Sequence, residues 1–146
     1  MTRPFRFTLA QVLDYREQLE DQAKLALAKA QQALQERLEA TARLDASLRE
    51  HLERMAREGA SAADFWLGRN YARRLEEELA FSRLEEARLA QDVHQRRLEL
   101  VERSKERKLL EKLKETQAVR HEREEHRKEQ AQFDEMATLR YQPPVV

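Results

Sequence analysis

The chain has no cysteine and no isoleucine, and its 146 residues include only two glycines, three prolines and nine aromatics. The missing cysteine excludes disulfides, thiolate metal sites and a cysteine nucleophile, and it fits a reducing compartment. Six Val and five Thr are few strand formers, so a β-rich fold is not expected. No apolar run approaches the length of a membrane span, and Met1-Thr2-Arg3-Pro4-Phe5 lacks the apolar stretch of a signal peptide, so a cytoplasmic protein is expected. An excess of charge of one sign is also absent. Lys and Arg total 28 and Asp and Glu total 28, which argues against a polyanion-binding protein whose whole surface is basic. The apolar share of 40% rests heavily on 20 alanines, too little bulk for a sizeable core.

Ala, Glu, Lys, Leu and Arg supply 91 of the 146 residues, the composition of a coiled coil or long helix. Proline stands only at Pro4, Pro143 and Pro144, and both glycines, Gly59 and Gly68, fall in one window. Because Pro and Gly are the strongest interruptions of a helix, the simplest parse is helix, turn, helix. Thr8 as N-cap with Gln11 at N3 reads as a capping box, with Phe7 stapling onto Val12. Arg54 and Arg57 complement the C-terminal dipole ahead of Gly59, which suits the left-handed position that closes a helix. Ser61 with Asp64 offers a second capping box, although Gly68 lies inside the helix it would start. The second helix therefore begins between Ser61 and Asn70. The expected boundaries are helix 1 at about 8–58, a turn at about 59–68, helix 2 at about 69–141 and a frayed tail at 142–146, all in a single domain, 1–146.

Helix 1 carries a seam in 4-3 spacing: Leu9 and Leu13, Ala23 and Leu27, Ala30 and Leu34, Leu44 and Leu48, then Met55. Arg16, Glu20, Arg37, Thr41 and His51 interrupt it. Helix 2 offers Ala72, Leu75, Leu79, Leu89, Val93, Leu100 and Leu110, with Leu84, Leu98, Leu109 and Leu113 on drifting neighbours. Helices this polar need a partner to bury such a seam, and a short turn favours the antiparallel neighbour in the same chain. The fold class expected is all-α, an antiparallel two-helix coiled coil forming a long helical hairpin. At 1.5 Å per residue helix 1 spans roughly 75 Å and helix 2 roughly 110 Å, so helix 2 overhangs helix 1 by its last 20 to 30 residues. That overhang closes with Phe133, Met136, Ala137, Leu139 and Tyr141, an apolar end that wants a partner.

Little here points to chemistry. His121 and His126 stand five apart, about 140° around a helix, instead of the four that puts two ligands on one face. Neighbouring carboxylates such as Glu85 and Glu86 have no water-poor pocket to raise a pKa, and no phosphate-cradling loop or nucleophile elbow occurs. The expectation is no enzyme, with no catalytic residue, metal, cofactor or small-molecule substrate. Residues 96 to 114 hold eight basic and four acidic side chains, Arg103, Arg107 and Lys114 among them. Without interleaved aromatics they read as a surface for an acidic protein or for solubility, and nucleic acid is not expected as a partner. The aromatics cluster instead: Phe5 and Phe7 at the head, Phe65, Trp66 and Tyr71 at the turn, Phe133 and Tyr141 in the overhang. They serve either to pack the ends of the hairpin or, as Trp and Tyr commonly do, to anchor partners.

The head, Phe5-Arg6-Phe7-Thr8-Leu9-Ala10-Gln11-Val12-Leu13-Asp14-Tyr15-Arg16, resembles the F-x-F-x-L-x-x-V-L-x-x-R opening of the FliJ family of flagellar export proteins. The basic stretch ending in Leu110-Glu111-Lys112-Leu113-Lys114 is similar to that family's L-E-K-L-K segment. Glu129-Gln130 with Asp134-Glu135 and Ala137 resembles its closing motif, E-Q-x-x-x-D-E-x-A. The resemblance implies a small cytoplasmic coiled coil of the flagellar type III export apparatus, peripheral to the inner membrane at the flagellar base and needed for motility. In shape it implies similarity to the central stalk of rotary ATPases. The implied partners are the export ATPase ring, the membrane export gate and export chaperones, with ATP hydrolysis coupled to subunit export. On this reading Phe5, Phe7, Leu13, Phe133, Met136 and Leu139 enter the ATPase ring, and Trp66, Tyr71, Leu75 and Leu79 face the gate or a chaperone. The competing classes are a stalk protein of the related injectisome and a purely structural coiled-coil scaffold.

Overall fold

A computed structural model of the chain describes residues 3–59 and 61–145. It is all-helical among these residues: α1 (Ala10–Arg57, 48 residues) and α2 (Ala62–Arg140, 79 residues) pack against each other without any strand. The chain divides into two compact units, one running from Asp21 to Glu102 and the other joining the chain up to Glu20 with the chain from Arg103 onward.

In the first of these units the pairing is antiparallel. Thr41 meets Ser82, and His51, further along α1, meets Gly68, further back along α2. The buried apolar residues are few and mostly small: Ala23, Ala30, Ala72, Leu75, Leu79 and Val93. The turn is tighter than the sequence suggests, because α2 begins at Ala62, seven residues before the expected 69. Ser61 supplies the reason. Its hydroxyl accepts from the Asp64 amide at 3.3 Å and donates to the Asp64 carboxylate at 2.9 Å, so the second cap is made and Gly68 is carried inside the helix. Gly59 does not take the left-handed position expected of it, since no described glycine has positive φ. Instead α1 closes on its own last turn, where the Glu58 amide donates to the Arg54 carbonyl at 3.0 Å.

The second unit is also antiparallel, with Arg16 on Glu106 and the Arg3 carbonyl on His121. Here the first capping box does not form among the described residues. The Ala10 amide donates to the Phe7 carbonyl at 3.2 Å, so Thr8 and Leu9 make a turn and α1 starts at Ala10. Phe7 is buried, but Val12 is 40% exposed, so the expected staple does not cover it. Residues 3–7 precede the helix and lie along α2. The His121 Nε2 donates to the Arg3 carbonyl at 2.8 Å, and the Phe5 ring lies 5.7 Å from the imidazole, tilted by 48°. This segment lengthens the cover on α2, and every described residue from 130 onward is exposed.

All fourteen positions of the 4-3 pattern, from Leu9 just ahead of α1 to Met55 near its end, are buried or half-buried. In α2 the seven expected seam residues are also buried or half-buried, whereas Leu84, Leu98, Leu109 and Leu113 are exposed. Those four do not join the seam, and Leu84 and Leu109 are the most open of them, at 71% and 70% exposed.

Candidate docking surfaces

The polar interruptions of the α1 seam are matched by polar groups on α2. In the unit that includes Glu20, that residue is only 5% exposed and accepts from the Arg107 Nε at 2.6 Å, while Arg107 also donates to Glu111 at 2.7 Å. These two carboxylates, Glu20 first, hold the Arg107 guanidinium above its ordinary pKa. Arg16 donates to Glu106 at 2.9 Å, and Arg103 donates to the same carboxylate at 3.3 Å. Arg103 and Arg107, read from the sequence as part of a basic surface, therefore face the carboxylates of the hairpin itself.

In the other unit Thr41 and Ser82 lie 2.6 Å apart, hydroxyl to hydroxyl, and Ser82 is 1% exposed. The single Thr41 hydroxyl proton goes to the Arg37 carbonyl at 3.0 Å, so Ser82 must be the donor to Thr41. One turn along, Arg88 donates to Glu85 at 3.0 Å and holds that carboxyl below its ordinary range. Burial opposes the shift, and the charge of Arg37 adds to it. Near the turn, His51 donates to the Gly68 carbonyl at 2.8 Å and meets the Tyr71 ring edge-on at 4.7 Å. A side chain on Gly68 would come within 3.0 to 3.4 Å of three atoms of Met55, so this glycine permits the close approach there.

The residues expected to bind partners divide by exposure. In the unit with the chain's ends, Phe133 (65%), Met136 (46%), Leu139 (79%) and Tyr141 (69%) are open, whereas Phe7 and Leu13 are buried and Phe5 is half-buried against His121. In the other, Trp66 (65%) and Tyr71 (49%) are exposed together with Phe65 and Leu67, whereas Leu75 and Leu79 lie in the seam. Phe65 and Trp66 thus do not pack the tip. The sequence reading missed Leu67, whose exposure follows once α2 starts at Ala62.

Among the described residues no group of three or more His, Asp or Glu side chains is placed to hold a metal ion. No described helix is long and apolar enough to cross a membrane. The side chains offer hydrogen bonding and apolar contact on a helical surface, which is the equipment of a coiled-coil interaction protein. The family model described as "Flagellar FliJ protein" matches residues 5–144, and the chain belongs to that family. The resemblance read from the head and tail motifs is borne out, and the protein is associated with flagellar export. No curated protein and no solved structure matches it.

Proposed function

We propose that the protein acts as the stalk-like element of the flagellar type III export apparatus, in the cytoplasm at the flagellar base. It joins the export ATPase ring to the membrane export gate and to export chaperones, and so couples ATP hydrolysis to the export of flagellar subunits. The observation that supports this reading best is the exposed apolar end of α2, with Phe133, Met136 and Leu139 open beyond the start of α1. A large apolar group at an unpaired helix end is what a binding partner buries.

The ATPase contact falls on Phe133, Met136 and Leu139, with Phe5 at its edge. Phe7 and Leu13 act from behind, fixing the head of α1. Gate or chaperone contact falls on Trp66 and Tyr71, with Leu75 and Leu79 holding the underlying turn of α2 in place. The test is capture of the cognate export ATPase by Phe133→Asp/Met136→Asp. Capture should fall at least tenfold and stimulation of ATP hydrolysis should be lost, with helicity by circular dichroism unchanged. Undiminished capture and stimulation would refute the assignment of this end.

A further inference from the structure

We propose that the outward face of α2 between Leu109 and Arg123 is a docking site for an acidic amphipathic helix of a partner protein. In this unit the cations of α2 differ in whether they are bonded. Arg103 and Arg107 are bonded to carboxylates toward α1, and Arg127 and Lys128 to Glu124 and Glu125 on their own helix. Lys112, Arg120 and Arg123 make no ion pair or side-chain hydrogen bond among the described residues, although glutamates are abundant along the helix. They border a recess of about 460 Å³ with Val119 in its wall.

Steps of three and four residues put Leu109, Lys112, Leu113, Val119, Arg120 and Arg123 on one side of the helix. The three apolar members are 70%, 38% and 43% exposed in chain order. Apolar groups interleaved with uncommitted cations make a basic amphipathic face, about 21 Å long at 1.5 Å per residue. The complement is a helix of about four turns that presents carboxylates to the three cations and aliphatic side chains to the three apolar residues.

The pattern favours protein over other anions. Glu115 also lines the recess and would stand against a phosphate backbone, whereas a partner helix can meet it with one basic residue. No Phe, Trp or Tyr occurs between residues 82 and 132, so the face lacks both the stacking platforms of nucleic-acid binders and the aromatic anchors of membrane-surface helices.

The experiment places the photo-reactive residue p-benzoylphenylalanine at position 119 of the full chain in its native cells and identifies the cross-linked peptide by mass spectrometry. The expected adduct is a protein peptide with at least three Asp or Glu residues in about four helical turns. Its yield should fall at least fivefold in Lys112→Glu/Arg120→Glu/Arg123→Glu and in the milder Lys112→Gln/Arg120→Gln/Arg123→Gln, with helicity by circular dichroism retained. It should hold in Lys29→Glu/Arg43→Glu/Arg83→Glu, which carries the same change of charge elsewhere. An adduct with nucleic acid, lipid, a second copy of this chain or a non-acidic peptide, no adduct at all, or equal loss in the control variant overturns the proposal.

Discussion

Thr41 and Ser82 show how a buried polar residue is judged by its partner. Each alone looks like a defect in an apolar seam, yet together they close a short bond whose donor is fixed by the Thr41 bond to the Arg37 carbonyl. Thr41→Val leaves the Ser82 hydroxyl, 1% exposed, without that acceptor and should cost about 1–2 kcal/mol. Thr41→Val/Ser82→Ala removes both partners and should come within about 0.5 kcal/mol of the parent. A double-mutant cycle by urea denaturation measures the difference as coupling; simple additivity would show that the bond does not bear on stability. The sequence marked these positions as interruptions. Nothing along the chain discloses that residue 41 faces residue 82, because that pairing depends on the register between two helices.

At the scale of the element, α1 was legible and α2 was less so. The 4-3 pattern of α1 holds one phase from end to end and every member of it is buried or half-buried, although Val12, Leu25, Leu38 and Leu52 lie exposed outside it. The apolar residues of α2 lie on two faces, so Leu84, Leu98, Leu109 and Leu113 compete with the true seam in any reading of periodicity. The start of α2 was also open, since Ser61 calls for a helix and Gly68 argues against one. The cap prevails, because the glycine's conformational cost is offset where its missing side chain lets Met55 approach. Gly68→Ala should nevertheless stabilise the protein by about 0.5 kcal/mol, the helix gain exceeding the cost of displacing a flexible thioether. Gly68→Leu should destabilise it by about 1–3 kcal/mol through overpacking. Melting temperatures of the two variants check the opposite signs.

For the whole molecule, the expected overhang is real but begins later than helix lengths alone suggest. Residues 3–7 lie along α2 through Phe5 and the Arg3 carbonyl, and uninterrupted exposure starts at residue 130. A chain ending at Glu129 should therefore melt within about 2 °C of the full chain, having lost no buried group among the described residues. The same deletion should abolish ATPase capture if that end is the contact. Calorimetry and the capture assay read the two effects separately, and a large fall in melting temperature would mean that residues 130–145 stabilise the fold. Of the expected partner-binding residues, only exposure told the surface ones from the supporting ones: Leu75 and Leu79 are as apolar as Leu139, yet they are buried.

The sequence by itself determined the helical class, the single turn, the α1 seam and the family, because these follow from composition, 3.5-residue periodicity and local motifs. Only the tertiary structure decided which α2 leucines are covered, which arginines are spent on the hairpin and which charges remain available. Those outcomes depend on the register and rotation of one helix against the other, an interaction between residues tens of positions apart that no local pattern encodes.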